Sequence, residues 1–301
     1  MLEMGFLREK LIEKISELTK KQKVVNLFSN LTLSCRKETT EPRSYILPPS
    51  ICIAVQGAKR LFLGDETYTY DIKYFLLTSI DLPVTTQIIE ATEEKPYIGI
   101  VWKIDINTLF ELIAEHNFFI PTKKVSRGIV LGTVTPQILD AFRRLIELSN
   151  EPEHAPALLP IIHREILYRL LISEQGSRLL QIALVSNHGH HVSRAIDYLK
   201  EHFSESINVK ELASYVGMSV SSFYQHFKAL TGMTPLQYQK KLRLNEARRL
   251  ILTGSFDVTS TALQVGYESP SQFSREYKRL FGVSPSQDLK MFREKSSIIP
   301  V

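Results

Sequence analysis

A chain of 301 residues is long for one ordinary helical domain and comfortable for two domains of ~150 residues each. With 44% hydrophobic and 23% charged residues it has a globular composition, which excludes a mostly disordered polymer, and two cysteines exclude a disulfide framework or a zinc finger. The formal charge is +5, no apolar run approaches the ~20 residues that span a bilayer, and no apolar signal core follows Glu3, Arg8, Glu9 and Lys10, so the expected location is the cytoplasm.

Residues 6–23 predict an amphipathic helix with Phe6, Leu7, Leu11, Ile15 and Leu18 on one face, docked on its own domain. From residue 45 to 103 the texture changes to short β-rich runs at 51–55, 60–63, 67–70, 74–79, 85–90 and 97–103. Pro48-Pro49, Gly57, Gly64-Asp65 and Pro83 punctuate them, the pattern of a small barrel or double-sheet jelly roll. Tyr45, Cys52, Tyr68, Tyr97 and Trp102 are the candidates to line a ligand pocket there, with plain core packing as the alternative. None of the eight histidines falls in this stretch, so no metal and no cofactor are expected in the barrel. Helical periods follow at 105–116, 136–149 and 156–174. On the last of these His163-Arg164-Glu165 reads as a salt-bridged face rather than a catalytic pair. Cys35 and Cys52 read as inert thiols, with a redox pair as the alternative.

The polar run Ser186-Asn187-His188-Gly189-His190-His191 divides the chain into residues 1–185, a linker at 186–192, and residues 193–301. His188, His190 and His191 form a histidine cluster, read as a polar linker rather than a metal site. Beyond it lies an internal repeat. Ala213, Val216 and Gly217 match Ala262, Val265 and Gly266. After one inserted residue, Ser219, Ser221, Phe223, Lys228, Leu230, Gly232, Pro235 and Gln237 match Ser269, Ser271, Phe273, Lys278, Leu280, Gly282, Pro285 and Gln287.

Each copy reads as helix, glycine turn, helix. Val209, Leu212, Ala213 and Val216 form one stripe, and Phe223, Phe227 and Leu230 the next, with Ser219 as N-cap. In the second copy Ser269 caps, Pro270 opens the helix, Gln272 is the capping-box partner, and Phe273, Tyr277 and Leu280 are buried. This is the helix-turn-helix, whose second helix enters the major groove. The 19 residues from Pro235 to Thr253 predict one linker helix of ~28 Å, against ~34 Å between successive major-groove faces.

The charge agrees with a nucleic-acid partner. Residues 193–301 carry 15 basic and 10 acidic side chains, whereas residues 1–192 carry 22 of each, so the whole excess lies on the repeat. With the aromatic stripe buried, the first recognition helix presents Ser221, Ser222, Tyr224 and Gln225, and the second Ser271, Gln272, Ser274 and Arg275, as candidate base readers. Arg275 suits guanine O6 and N7, and Gln225 suits adenine N6 and N7. Lys228, Lys278 and Arg279 suit phosphates. A solvated helix face is the alternative for each. Lys240, Lys241, Arg243, Arg248 and Arg249 on the linker helix divide between a solvated face and phosphate contacts.

The Ser-capped first helix, the long linker helix and the string GYESPSQFSREYKRLFGVSP at 266–285 resemble the AraC/XylS family of bacterial transcription regulators over roughly residues 193–292. Gln225 stands where family members often carry Arg, a departure that bears on the base preference of that helix. The runs PSICIAVQGAKR at 49–60, Leu63-Gly64, YTYD at 68–71, Leu82-Pro83-Val84 and HREILYRLL at 163–171 resemble the N-terminal domain of one subgroup. The resemblance implies a cupin-like effector domain that senses a small molecule.

The expected architecture is α+β with two domains: a cupin-like β-barrel or jelly roll with flanking helices, then an all-α domain with two helix-turn-helix units on a long linker helix. The expected function is a sequence-specific DNA-binding transcription regulator, not an enzyme. Its partners would be double-stranded DNA, RNA polymerase, a small-molecule effector and a second copy of the chain, with no membrane. Two readings compete: an effector-independent architectural DNA binder, and a DNA-tethered enzyme such as a repair protein with a cysteine methyl acceptor.

Overall fold

The structure is a computed structural model and describes residues 2–116, 127–176, 179–180, 187–253 and 257–296. After α1 (Leu2–Leu18) come β1 (Val24–Leu27), β2 (Leu31–Arg36), β3 (Arg43–Leu47), β4 (Ser50–Gln56), β5 (Ala58–Leu63) and β6 (Glu66–Tyr70). Then follow β7 (Tyr74–Thr78), β8 (Leu82–Glu90), β9 (Tyr97–Lys103), α2 (Ile106–His116), β10 (Ile129–Thr133), α3 (Pro136–Glu147) and α4 (Ala155–Leu171). The strands pair antiparallel into a six-stranded sheet, β1-β2-β9-β4-β7-β10, and a four-stranded sheet, β3-β8-β5-β6. This is the double-sheet form expected from the short strands.

Successive side chains on a strand point to opposite faces, and that parity divides the core. On β4, Ile51, Ile53 and Val55 pack with the helices, as do Ile98, Ile100 and Trp102 on β9. Cys52 and Ala54 on β4, and Tyr97 on β9, belong to the layer between the two sheets. Helix α1 buries Leu7, Leu11 and Ile15 against the helical side, whereas Phe6, expected on the same face, is exposed. The helix also stops at Leu18 rather than residue 23, because Thr19 turns its hydroxyl and amide back to the Ile15 carbonyl (2.6 and 2.9 Å) and the chain enters β1.

The second domain consists of α5 (Asn187–Glu201), α6 (Val209–Tyr215), α7 (Val220–Thr231), α8 (Pro235–Leu252), α9 (Val258–Gln264), α10 (Pro270–Phe281) and α11 (Pro285–Ser296). Helix α5 begins at Asn187, inside the stretch expected as the linker at 186–192. The buried stripe Val192, Ala195, Ile196 and Leu199 draws the preceding polar residues into its helix. Ser186 lies outside the described residues, as do the side chains of 187–190.

Capping defines the other helices. Asn208, Ser219, Thr234, Asp257 and Ser269 each accept a backbone N–H from the first turn that follows, and Thr234 with Gln237 completes a reciprocal capping box. The turn glycines Gly217 and Gly266 are left-handed (φ 71° and 86°). At Gly266 a Cβ would come 2.0 Å from the Ser204 carbonyl oxygen, so the turn admits no side chain.

Helix α8 serves two cores. Tyr238 and Leu242 pack with Leu212, Val216, Phe223 and Phe227 of the first unit. Leu244, Ala247, Leu250 and Ile251 pack with Ala262, Val265, Phe273 and Tyr277 of the second. The first of these cores is continuous with the layer between the sheets, where Leu47, Leu61, Leu63 and Leu82 lie.

Candidate functional site

The two recognition helices are α7 and α10. Phe223, Phe227 and Leu230 anchor the inner side of α7, leaving Ser221, Gln225 and Lys228 exposed and Ser222 and Tyr224 half-buried. On α10 the buried Phe223 equivalent, Phe273, and Tyr277 leave Ser271, Gln272, Arg275, Lys278 and Arg279 exposed and Ser274 half-buried. Among the described residues no carboxylate pairs with Lys228, Arg275, Lys278 or Arg279. The Arg275 Nε donates to the Ser271 carbonyl one turn back (3.3 Å). Gln272 completes no box: Ser269 accepts its backbone N–H, while its side-chain amide donates to Glu276 (3.4 Å).

The linker-helix cations are engaged within the protein. Arg243 donates to the carbonyls of Phe203 (2.7 Å), Glu205 (2.8 Å) and Gly266 (2.7 Å), tying the loop before α6 to the turn of the second unit. Lys240 pairs with Glu276 (2.9 Å), Arg248 with buried Asp288 (2.8 Å) and Arg249 with Glu246 (2.6 Å). Lys241 reaches the Pro83 carbonyl (3.5 Å), and burial lowers its pKa. Burial works against a charged Glu276, yet Lys240, Tyr267 and Gln272 outweigh it and hold the carboxyl below its ordinary range. The apolar seam of α8 carries these partners with it, which periodicity alone does not reveal.

Between the sheets the structure gathers four of the five ligand candidates. Tyr45, Cys52, Tyr68 and Tyr97 border one layer, together with Tyr70 and Lys59, which residue-type reasoning missed. Lys59 shares its face of β5 with the buried Leu61 and Leu63. It hydrogen-bonds Tyr45 and lies 5.9 Å from the centre of that ring. Tyr70 hydrogen-bonds both Tyr97 and the Cys52 thiol. Burial pushes the Cys52 thiol up to about 11 and raises both Tyr70 and Tyr97, so all three are neutral near pH 7. The Tyr68 hydroxyl donates to Glu66.

Trp102 does not join them. It lies on the opposite face of β9, fully buried among the helices, 6.1 Å from the Phe142 ring and 5.4 Å from the His163 ring. Cys35 packs on that helical side too, so the two thiols face opposite sides of one sheet and do not form the redox pair considered above. His163, Arg164 and Glu165 have structural partners: Asn30 meets the His163 ring (3.4 Å), Arg164 pairs with Glu111 and Glu115, and Glu165 with Arg144 and Arg169. No cluster of three or more His, Cys, Asp or Glu among the described residues could hold a metal ion.

Residues 28–178 match the AraC-type transcriptional regulator N-terminus, and residues 212–291 match a helix-turn-helix domain. The chain belongs to the AraC family. The HTH-type transcriptional activator RhaS of Escherichia coli is 26% identical over 185 residues, covering 62% of this AraC-family chain and 66% of RhaS. The chain thus spans just under two thirds of that relative. Among solved structures, unsaturated fatty acid bound wild-type ToxT from Vibrio cholerae superposes with a TM-score of 0.56 at 13% identity, over 86% of this chain and 93% of ToxT. ToxT bound to (E)-4-(8-methylnaphthalen-1-yl)but-3-enoic acid gives a TM-score of 0.58 at 13% identity, over 88% of this chain and all of that one. At these identities the likeness is one of fold.

In this AraC-family protein the β-domain touches the first reader directly. The Arg127 guanidinium joins Glu66 (2.8 Å) to the Lys228 carbonyl (2.9 Å), and the Gly128 amide donates to the Leu230 carbonyl (2.9 Å), so two carbonyls at the end of α7 are bound by the other domain. Arg127, Gln225, Lys228 and Ala229 together line an open groove at the edge of the recognition helix. Nearby, the Tyr238 hydroxyl donates to the Asp81 carbonyl (2.8 Å) and Lys200 pairs with the Asp81 carboxylate (3.0 Å). The contacts between the domains join residues 101 to 157 apart in the chain, and nothing local in the sequence marks them.

Proposed function

We propose that this chain is a sequence-specific transcription regulator whose α7 and α10 read successive major-groove segments while the β-domain binds a small-molecule effector. The observation that carries it is the doubled reader: two capped, aromatic-anchored helices on one shared helix, each with exposed cationic side chains that pair with no carboxylate among the described residues. Arg275 and Gln225 are the base readers in this proposal, with Ser221, Ser222, Tyr224, Ser271, Gln272 and Ser274 around them. Lys228, Lys278 and Arg279 hold phosphates.

An effector role is supported by the ToxT structures, which carry small carboxylic acids, and by the polar cluster at Tyr45, Cys52, Lys59, Tyr70 and Tyr97. The relative RhaS, an HTH-type transcriptional activator, supports activation as the direction of regulation. RNA polymerase as a partner and the cytoplasm as the location belong to the same proposal. A homodimer is supported by α4, where Leu158, Ile161, Tyr168 and Ile172 recur at heptad-like spacing on the exposed side, Ile161 and Ile172 being 62% and 58% accessible. A methyl-acceptor enzyme fits poorly with a thiol as buried and weakly acidic as Cys52.

Selection of bound duplexes from a random pool, with and without a metabolite extract, tests this reading. The expected product is a defined site with two contacted segments about one helical turn apart, present singly or paired, and enriched differently when extract is added. Enrichment without any consensus would defeat it, and a consensus indifferent to extract would leave an architectural binder.

A further inference from the structure

Near the C-terminal end of α7 the two domains share the walls of one open groove. Its volume is about 480 Å³, and it is lined by Arg127 from the β-domain and by Gln225, Lys228 and Ala229 from the recognition helix. The Arg127 guanidinium is fixed at two of its three nitrogens. Its Nε donates to Glu66 (2.8 Å) and its Nη1 to the Lys228 carbonyl (2.9 Å), while Nη2 has no hydrogen-bond partner among the described residues. The Arg127 side chain remains 30% accessible, so a ligand in the groove can reach it. Gln225 and Lys228 are exposed, and among the described residues their side chains likewise make no hydrogen bond or ion pair. Glu66 gives one carboxylate oxygen to Arg127 and the other to the Tyr68 hydroxyl. Two cations beside one engaged carboxylate leave the groove with a single net positive charge. Because Glu66 and the helix carbonyl already hold the guanidinium, little side-chain freedom remains to be lost on binding.

We propose that this groove is a phosphate site that the β-domain adds to the DNA interface: one backbone phosphodiester lies between Lys228 and Arg127 when α7 occupies the major groove. The inference rests on the reader proposed above and extends its contact surface to the other domain. The major groove is about 12 Å wide and a helix with its side chains about 10–12 Å across, so sugar–phosphate backbone flanks the helix on both sides. With Gln225 at a base edge, Lys228 stands close to one turn further along α7, and the groove opens beside it. A phosphodiester carries one negative charge, which the groove's net charge matches, and it offers acceptor oxygens to both the ammonium and the guanidinium. Such a contact reads no sequence. It positions α7 on the duplex and makes the strength of DNA binding depend on how the β-domain is seated.

Titrations of the full-length protein with the selected duplex and with random duplex, at several salt concentrations, test the site. Arg127→Gln should bind both about tenfold more weakly, and its slope of log K against log salt should be shallower by about 0.9, the share of one phosphate. Arg127→Lys, which keeps the charge, should retain the wild-type slope. A purely structural role for Arg127 would lower affinity and leave the slope alone. The proposal is overturned if Arg127→Gln keeps the wild-type slope. It is also overturned if that variant binds more tightly, which would make the contact a restraint on α7. Where Arg127→Gln does not fold, Glu66→Gln decides: without the carboxylate in the groove, binding to both duplexes should tighten about threefold, and equal or weaker binding overturns the proposal. Failure of the reader itself looks different, because selection then yields no consensus while the salt slope on random duplex still reports on Arg127.

Discussion

On α10 the exposed Arg275 and the neighbouring Lys278 differ in what they can recognise. A planar guanidinium can hold two acceptors of one guanine, whereas an ammonium further along the helix meets phosphate as a point charge. Arg275→Ala should therefore weaken binding to the selected site by ~1–3 kcal/mol and leave random duplex nearly untouched. Lys228→Ala on α7 should weaken both alike and flatten the salt dependence, as titrations at several salt concentrations would reveal. Equal losses on both duplexes for Arg275→Ala would remove it from the base readers. Single-residue logic also shows what sequence reading could and could not do. Tyr97 and Trp102 are five apart on one strand, so they point to opposite faces, and parity alone could have separated them. Lys59 was hidden for a different reason: a lysine looks exposed until its strand partners are known.

At the level of elements, helices were more legible than strands. The stripes of α7 and α10 and their Ser caps depend on residues within one or two turns, and the structure has them where the repeat put them, except that Leu280 is half-buried rather than buried. By contrast β2 and β10 owe their place to distant partners, β9 and β7. β10 pairs with β7 across some fifty residues, Ile129 opposite Thr78, and nothing local marks it.

Helices α3 and α4 are joined by an ion network that sequence reading anticipated only at Glu165. Arg144 bridges Asp140 (2.9 Å) and Glu165 (2.6 Å), while Arg143 pairs with Asp140 and Arg169 with Glu165. Burial disfavours both carboxylates, but their arginine hydrogen bonds outweigh it and depress both pKa values. A depressed folded-state pKa means stability that is fully present above the unfolded value and lost as pH falls through the folded one. Tm should hold near neutrality and decline once pH drops below about 4, the ordinary carboxylate range. Glu165→Gln should melt lower at pH 7 and decline less steeply in acid. Parallel curves for the two proteins would show that this network does not contribute.

Across the whole molecule, the two domains meet backbone to backbone. Gly64 has φ +59°, and a Cβ placed there would stand 2.5 Å from the Gly232 carbonyl oxygen. Gly64→Ala should cost ~1–3 kcal/mol through strain at the turn and displacement of α7 from Arg127 and Gly128. Trp102, the single tryptophan, reports the β-domain core, whereas the second domain supplies the larger share of the helical circular dichroism. In wild type the two denaturation curves should coincide, and in Gly64→Ala they should separate. Coincident curves in the variant would mean that this approach does not couple the domains.

Because α8 lends one half of its buried side to each reader, and Arg243 pins both ends of the arrangement, neither recognition helix can be re-aimed without repacking the other's core. Exposed positions such as Gln225 and Arg275 carry no such obligation. In the proposed reading the bases contacted can be altered one exposed side chain at a time, while the interval between the two contacted segments is held by the length of a single helix.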